Sequence, residues 1–254
     1  IIGNWKMNPA SIGHARRLFL DIRKRLGRRK LNAKVIIAPP VPYLYELQRL
    51  SPSQRIALAA QDVFYEEAGA HTGEVSVPML KSVGATAIIA GHSERRARGE
   101  DDQEIYQDLQ AILAARLTAV VCIGELKRDQ QGNYFSVVEA QLRAAIRSVS
   151  AAQLKQLVIA YEPVWAIGTG KTATPADAEE MKLFIQKVLA EYYPRAKALT
   201  VPILYGGSVK PNNAAALLRE GQADGFLIGG SSLRAGDFVK IIDHAEAYVK
   251  EQSA

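Results

Sequence analysis

Short runs rich in Val, Ile, Leu and Ala recur along the chain, at 1–6, 34–38, 56–61, 86–91, 118–123, 157–162, 201–205 and 224–228. They are continuous rather than alternating, the pattern of parallel strands covered on both faces. Between them apolar residues return every three or four positions, the period of a helix packed along one side. Ala15, Leu18, Ile22 and Leu26 mark one such face, and Val138, Leu142, Ala145 and Val149 another. Met181, Ile185, Val188, Leu189 and Tyr192 mark a third, opened by Thr174 as N-cap and Pro175 at the first helical position. Ala214, Leu217 and Leu218 follow Pro211, and Phe238, Ile241, Ile242 and Ala245 close the chain. Weaker helical patterns cover 43–50, 77–83 and 102–116. Eight strand–helix units in 254 residues predict a (β/α)8 barrel of α/β class, with 1–254 as one domain. An open doubly wound sheet would need a G-x-G-x-x-G turn, which does not occur.

Composition narrows the partners. With 48% hydrophobic and 23% charged residues the chain reads as globular, and no apolar run approaches the ~18 residues of a membrane helix. The single cysteine, Cys122, rules out an intrachain disulfide and, with no secretory signal visible, a cytoplasmic location is expected. A net charge of +6 raises the question of nucleic acid. The densest basic run, Arg23 to Lys30, ends an amphipathic helix, where the helix dipole favours cations, and no aromatic platform accompanies it. Neither a nucleic-acid nor a membrane partner is expected; a positive field would draw in a small anionic substrate.

In a barrel, chemistry gathers where strands end. Those ends carry Asn4-Trp5-Lys6, Gln61-Asp62, Gly91-His92-Ser93-Glu94, Cys122-Ile123-Gly124-Glu125, Tyr161-Glu162-Pro163, Tyr205-Gly206-Gly207-Ser208 and Ile228-Gly229-Gly230. Glu162 stands between a buried strand and a glycine-bearing loop, Pro163 to Thr174, giving a carboxylate a rigid base and a movable cover. Proton transfer needs both. The glycine pairs after the last two strands let backbone N–H groups approach an anion. With Ser208 and the Gly168–Gly170 loop they favour a phosphate site over plain tight turns. His92 follows an apolar strand and opens a short polar helix, whereas His14 and His244 fall in helix patterns as surface residues. Lys6 is either a site cation or the structural partner of an acid such as Glu94. Cys122 reads as a small core residue. Gly170-Lys171-Thr172 is no phosphate-binding P-loop, because Trp165 stands where its first glycine belongs.

These motifs closely resemble the triosephosphate isomerase family over essentially the whole chain. Gly3-Asn4-Trp5-Lys6-Met7-Asn8, Gly91-His92-Ser93-Glu94-Arg95-Arg96, the stretch from Ala160 to Gly170, Tyr205-Gly206-Gly207-Ser208-Val209 and Gly229-Gly230 each match one of its signatures. The resemblance implies reversible interconversion of dihydroxyacetone phosphate and glyceraldehyde 3-phosphate, in glycolysis and gluconeogenesis. It implies Glu162 as base, His92 as hydrogen-bond donor to an enediolate, and Asn4 and Lys6 as further stabilising groups. Glu94 would hold Lys6, with Ser93 also supporting the site. Gly168, Ser208, Gly229 and Gly230 would bind phosphate, and Pro163, Trp165, Thr169 and Lys171 would belong to the lid. No metal or cofactor is implied. Ala68 to Glu74 resembles the loop that enters a neighbouring subunit, so a homodimer is expected, with Thr72 reaching the partner's Asn4 position.

The chain departs from the family twice. Ala97-Arg98-Gly99-Glu100 is one residue short and lacks an aromatic. Leu126-Lys127-Arg128-Asp129 is also short and basic where acids are usual, so an acidic contact to Trp165 is expected to be missing. Two other readings remain open: a phosphosugar aldolase using a lysine Schiff base at Lys6, which needs a desolvated amine, and a non-catalytic phosphosugar-binding protein.

Overall fold

Each of the eight apolar runs forms a strand: β1 (Ile2–Asn4), β2 (Ile36–Ala38), β3 (Ala57–Ala60), β4 (Ala85–Ala90), β5 (Thr118–Ile123), β6 (Leu157–Tyr161), β7 (Ile203–Tyr205) and β8 (Gly225–Ile228). The computed structural model describes residues 1–51, 55–167 and 172–252. All strand pairs are parallel, and β1 pairs with both β2 and β8, which closes the sheet into a barrel. The helices around it are α1 (Ile12–Leu26), α2 (Val41–Arg49), α3 (Val77–Ser82), α4 (Ser93–Arg96), α5 (Asp102–Ala114), α6 (Asn133–Ile146), α7 (Pro175–Tyr192), α8 (Arg195–Ala198), α9 (Ala214–Arg219) and α10 (Ala235–Gln252).

The period-two geometry of a strand divides the core into two layers. Ile2, Ile36, Ala38, Ala59, Ala87, Ile89, Val120, Cys122, Ala160, Leu204 and Leu227 form one apolar cluster, filling the barrel. Their neighbours, such as Ile37, Leu58, Ile88, Val121, Ile159 and Phe226, pack outward beneath the helices with Phe19, Leu109, Ile185 and Phe238. Adding two to the last interior residue of a strand therefore names a position at the mouth. Asn4 and Lys6 follow Ile2, Gln61 follows Ala59, and Glu162 follows Ala160.

Local signals set the helix ends. The Thr174 hydroxyl accepts from Asp177 N–H at 3.1 Å while the Asp177 carboxylate accepts from Thr174 N–H at 2.7 Å, a capping box at the start of α7. Arg23, Lys24 and Arg25 occupy the last turn of α1, as the basic run suggested. The first strand is shorter than its apolar run because Lys6 adopts a positive φ of 53° and leaves extended geometry. Among the described residues no helix is long and apolar enough to cross a membrane.

Candidate active site

A cavity of about 470 Å³ opens at the C-terminal ends of the strands, lined by Asn4, Lys6, His92, Glu94, Glu162, Ser208, Gly229 and Gly230 among others. Glu162 reaches it by strand register. Two glycines make its seat. A Cβ at Gly124 would lie 1.8 Å from the Glu162 carbonyl oxygen, and one at Gly206 would lie 2.9 Å from Glu162 Cγ. Neither position can carry a side chain without displacing the carboxylate.

His92 comes by another route. The outward register of β4 would carry residue 92 under the helices, but Gly91 at φ +73° breaks that register. His92 then caps α4, its Nδ1 accepting from Glu94 N–H at 3.2 Å. An acceptor Nδ1 has no proton, so the neutral ring carries its proton on Nε2. That nitrogen lies 3.1 Å from Glu162 Oε1, while Ser93 N–H donates to Glu162 Oε2 at 2.8 Å. Glu162 is only 2% exposed, yet both its oxygens are satisfied.

Lys6 sits across the cavity mouth. Its Nζ is 2.6 Å from Glu94 Oε1, and its backbone N–H donates to Asn4 Oδ1 at 2.9 Å. Partial burial pulls the Glu94 carboxyl upward, but the Lys6 hydrogen bond and charge outweigh it and hold the group below its ordinary range. The left-handed backbone at Lys6 is fixed by Gln61, whose amide donates to Lys6 O at 2.9 Å and Ala38 O at 2.8 Å. Gln61 has no role in the sequence reading; its two-residue offset from the interior Ala59 was the available signal. The Lys6–Glu94 pair disfavours the Schiff-base reading, since an amine nucleophile would first have to lose its proton beside this carboxylate. Lys210 and Arg234, also without a role in that reading, line the cavity and add positive charge.

The remaining expected residues divide. Ser208, Gly229 and Gly230 line the same cavity. Gly168, Thr169 and Lys171 fall outside the described residues. Pro163 and Trp165 lie at the base of the expected lid, Trp165 in a 3-10 turn, Val164–Ala166. Thr72 is exposed on a loop away from the cavity lining. Burial raises the Cys122 thiol well above its usual range, leaving a core residue and no nucleophile.

The expected absence of a contact to Trp165 concerned an acid within residues 126–129, and the acid that reaches it is the residue before them. Trp165 does have an acidic partner: its indole N–H donates to Glu125 Oε1 at 2.7 Å. The acid precedes the shortened segment, so the basic residues after it do not remove the contact. Glu125 also accepts from Tyr161 Oη–H at 2.8 Å. Arg128 fills the adjoining space, pairing with Asp177, lying 2.7 Å from Glu180, and stacking 4.6 Å from the Tyr134 ring centre. Basic substitution has thus joined the β5 loop to the N-terminus of α7.

A second cleft of about 280 Å³ shares Asn4, Lys6, His92 and Glu94 with the first and continues past Met7, Gln61, Arg95 and Arg98. The sequence pattern of the family described as triosephosphate isomerase matches residues 1–245. Triosephosphate isomerase of Roseiflexus sp. (strain RS-1) is 45% identical over 244 residues, covering 95% of this chain and 95% of its own. That of Caldanaerobacter subterraneus subsp. tengcongensis is 43% identical over 246 residues, covering 96% and 98%. That of Chloroflexus aurantiacus is 45% identical over 246 residues, again covering 96% and 98%.

Proposed function

The chain belongs to the triosephosphate isomerase family and interconverts dihydroxyacetone phosphate and D-glyceraldehyde 3-phosphate, a step of glycolysis and gluconeogenesis, and we propose that Glu162, His92, Lys6 and Asn4 carry the proton transfer. The observation behind this assignment is the 3.1 Å contact of Glu162 Oε1 with His92 Nε2 beside the Lys6 ammonium in one cavity. Glu162 removes a proton from the carbon next to the substrate carbonyl and returns it to the neighbouring carbon. Negative charge moves onto the substrate oxygen as the enediolate forms. His92 Nε2–H, which now faces Glu162, turns its hydrogen bond to that oxygen. Lys6, held by Glu94, supplies a fixed positive charge, and Asn4 an additional donor. Ser208, Gly229 and Gly230 bind the phosphate, with Gly168 joining them. Residues Pro163, Trp165, Thr169 and Lys171 belong to a cover that excludes water during proton transfer and protects the enediolate from losing phosphate.

The direct test is a coupled assay of triose phosphate interconversion with Glu162→Gln as control. Turnover that vanishes in the variant, while binding of a phosphate analogue persists, is the expected result. Full activity in the variant would remove Glu162 as the base.

The same reading places the 254 residues in one barrel domain of a cytoplasmic protein. It also makes the protein a homodimer. Supporting this, residues 66–74 stand exposed as a loop, Met7 is 90% exposed at the rim of the 280 Å³ cleft, and Met79 is 53% exposed in α3 just beyond the loop. Thr72 of each chain enters the cleft beside Asn4 and Lys6 of the other. Light scattering should give twice the chain mass, and Thr72→Arg should shift it toward monomer with loss of activity. A wild-type monomer at micromolar concentration would discard the dimer.

A further inference from the structure

Behind the active-site rim, three carboxylates converge from separate parts of the chain. Asp62 follows β3, Glu100 lies in the shortened turn after α4, and Asp108 belongs to the core face of α5 with Ile105, Leu109 and Ile112. One oxygen from each lies within 4.8 Å of the other two, the one such group among the described residues. Arg95 is the cation on hand, 2.7 Å from Asp62 Oδ2 and 2.7 Å from Glu100 Oε1. With all three acids ionised, one guanidinium would leave an excess of negative charge around two carboxyl groups, Glu100 and Asp108, that are almost wholly buried. The Glu100 side chain is 4% exposed and its Oε2 has no hydrogen-bond partner; nor has the buried Asp62 Oδ1. Asp108 is 3% exposed. Buried carboxylate oxygens left bare are costly, and two of them beside a third buried carboxyl group call for a positive group among them.

We propose that Asp62, Glu100 and Asp108 bind a hard divalent cation, such as calcium or manganese, at the floor of the 280 Å³ cleft that Asp62 and Arg95 line. The donors are all oxygens, the set preferred by such ions over soft metals. Calcium–oxygen distances of about 2.3–2.6 Å let one ion bridge a pair of oxygens up to roughly 5 Å apart, a range that includes oxygens within 4.8 Å of one another. Magnesium demands near-octahedral geometry and gives up its water reluctantly, so it suits an all-protein carboxylate site less well. Bound there, the ion would tie the end of β3 to the α4–α5 turn and to α5. Crowding also disfavours ionisation of the acids while no cation is bound. Burial, then the charges of Asp62 and Glu100, push Asp108 up to about 8 against the pull of Arg95. Burial also raises Asp62 to about 6, with Arg95 opposing and Glu100 and Glu74 adding to the rise. Glu104 adds further negative charge toward Asp108.

The test uses the whole chain, stripped with a chelator and dialysed at pH 8. Thermal unfolding is then followed with millimolar CaCl2, MnCl2 or MgCl2, each against NaCl of equal ionic strength. Calcium or manganese should raise Tm by about 5 °C if its concentration is well above the dissociation constant, and magnesium by less. Titration calorimetry should give one ion per chain. Asp108→Asn and Glu100→Gln should each fold, lose the response and no longer bind the ion. Two results would overturn the site: no divalent ion moving Tm beyond its NaCl control, which would leave protons to balance the acids, or a full shift retained in both variants, which would put the ion elsewhere.

Discussion

Two glutamates stand at the ends of neighbouring strands, both buried and both hydrogen-bonded, and they are held in opposite ways. Glu162 follows β6 and is 2% exposed; Glu125 follows β5 and is 0% exposed. Glu162 is held by a main-chain N–H and an imidazole and faces the cavity. Both partners can be exchanged for substrate atoms without moving a strand. Glu125 is held by Tyr161 Oη–H and the Trp165 indole, and Arg128 Nε stands 3.6 Å away. Burial raises the Glu125 carboxyl above its ordinary range, against the hydrogen bond from Trp165, and burial pushes the Tyr161 phenol far upward, keeping it a donor. Burial therefore does not make a carboxylate reactive. What separates the two is whether a substrate can take over their hydrogen bonds.

That contrast is open to measurement. Glu162→Asp withdraws the proposed base by about one bond length and should lower kcat roughly 10³-fold with Tm nearly unchanged. His92→Asn, which loses the placed donor, should cost about 10² in kcat and little in KM. Glu125→Gln should show the converse: one buried donor is left facing an amide N–H, stability falls by about 2 kcal/mol, and Tm drops by some 4–8 °C while kcat changes less than tenfold. A Glu125→Gln enzyme as inactive as Glu162→Asp would erase the distinction between them. Smallest is Thr174→Ala, which removes the cap where Arg128 and Asp177 meet; about 1 kcal/mol and a Tm loss of roughly 2–4 °C are expected. A silent Thr174→Ala would mean that the Asp177 side of the box suffices.

The strands were legible because a strand covered on both faces has to be apolar at every position. Their ends were less so: the run at 201–205 yields a ladder only over Ile203–Tyr205, because apolar residues also seal the barrel floor without pairing. Glu162, His92 and Lys6 could be found because each lies within two residues of a strand's end. Glu125 follows one too, yet it reads as a solvated loop acid, since its partners Tyr161 and Trp165 come 36 and 40 residues later. Gln61 was hidden for a similar reason: it acts on the backbone of Lys6, 55 residues away. The three acids behind the rim are ordinary charges until α5 folds Asp108 inward. Spacing in sequence exposes what one strand presents; it is silent on what two loops share.

The barrel's closure has one more consequence. Because β1 joins β8, the ring has no first or last strand, and no row of unpaired amides is offered to another molecule. A second chain cannot add itself to this sheet by backbone pairing, as it can to an open one. Association must then be read from side chains and loop shape alone, which makes it selective, and the route by which crowded β-proteins recruit one another into fibrils is shut by topology rather than by charge.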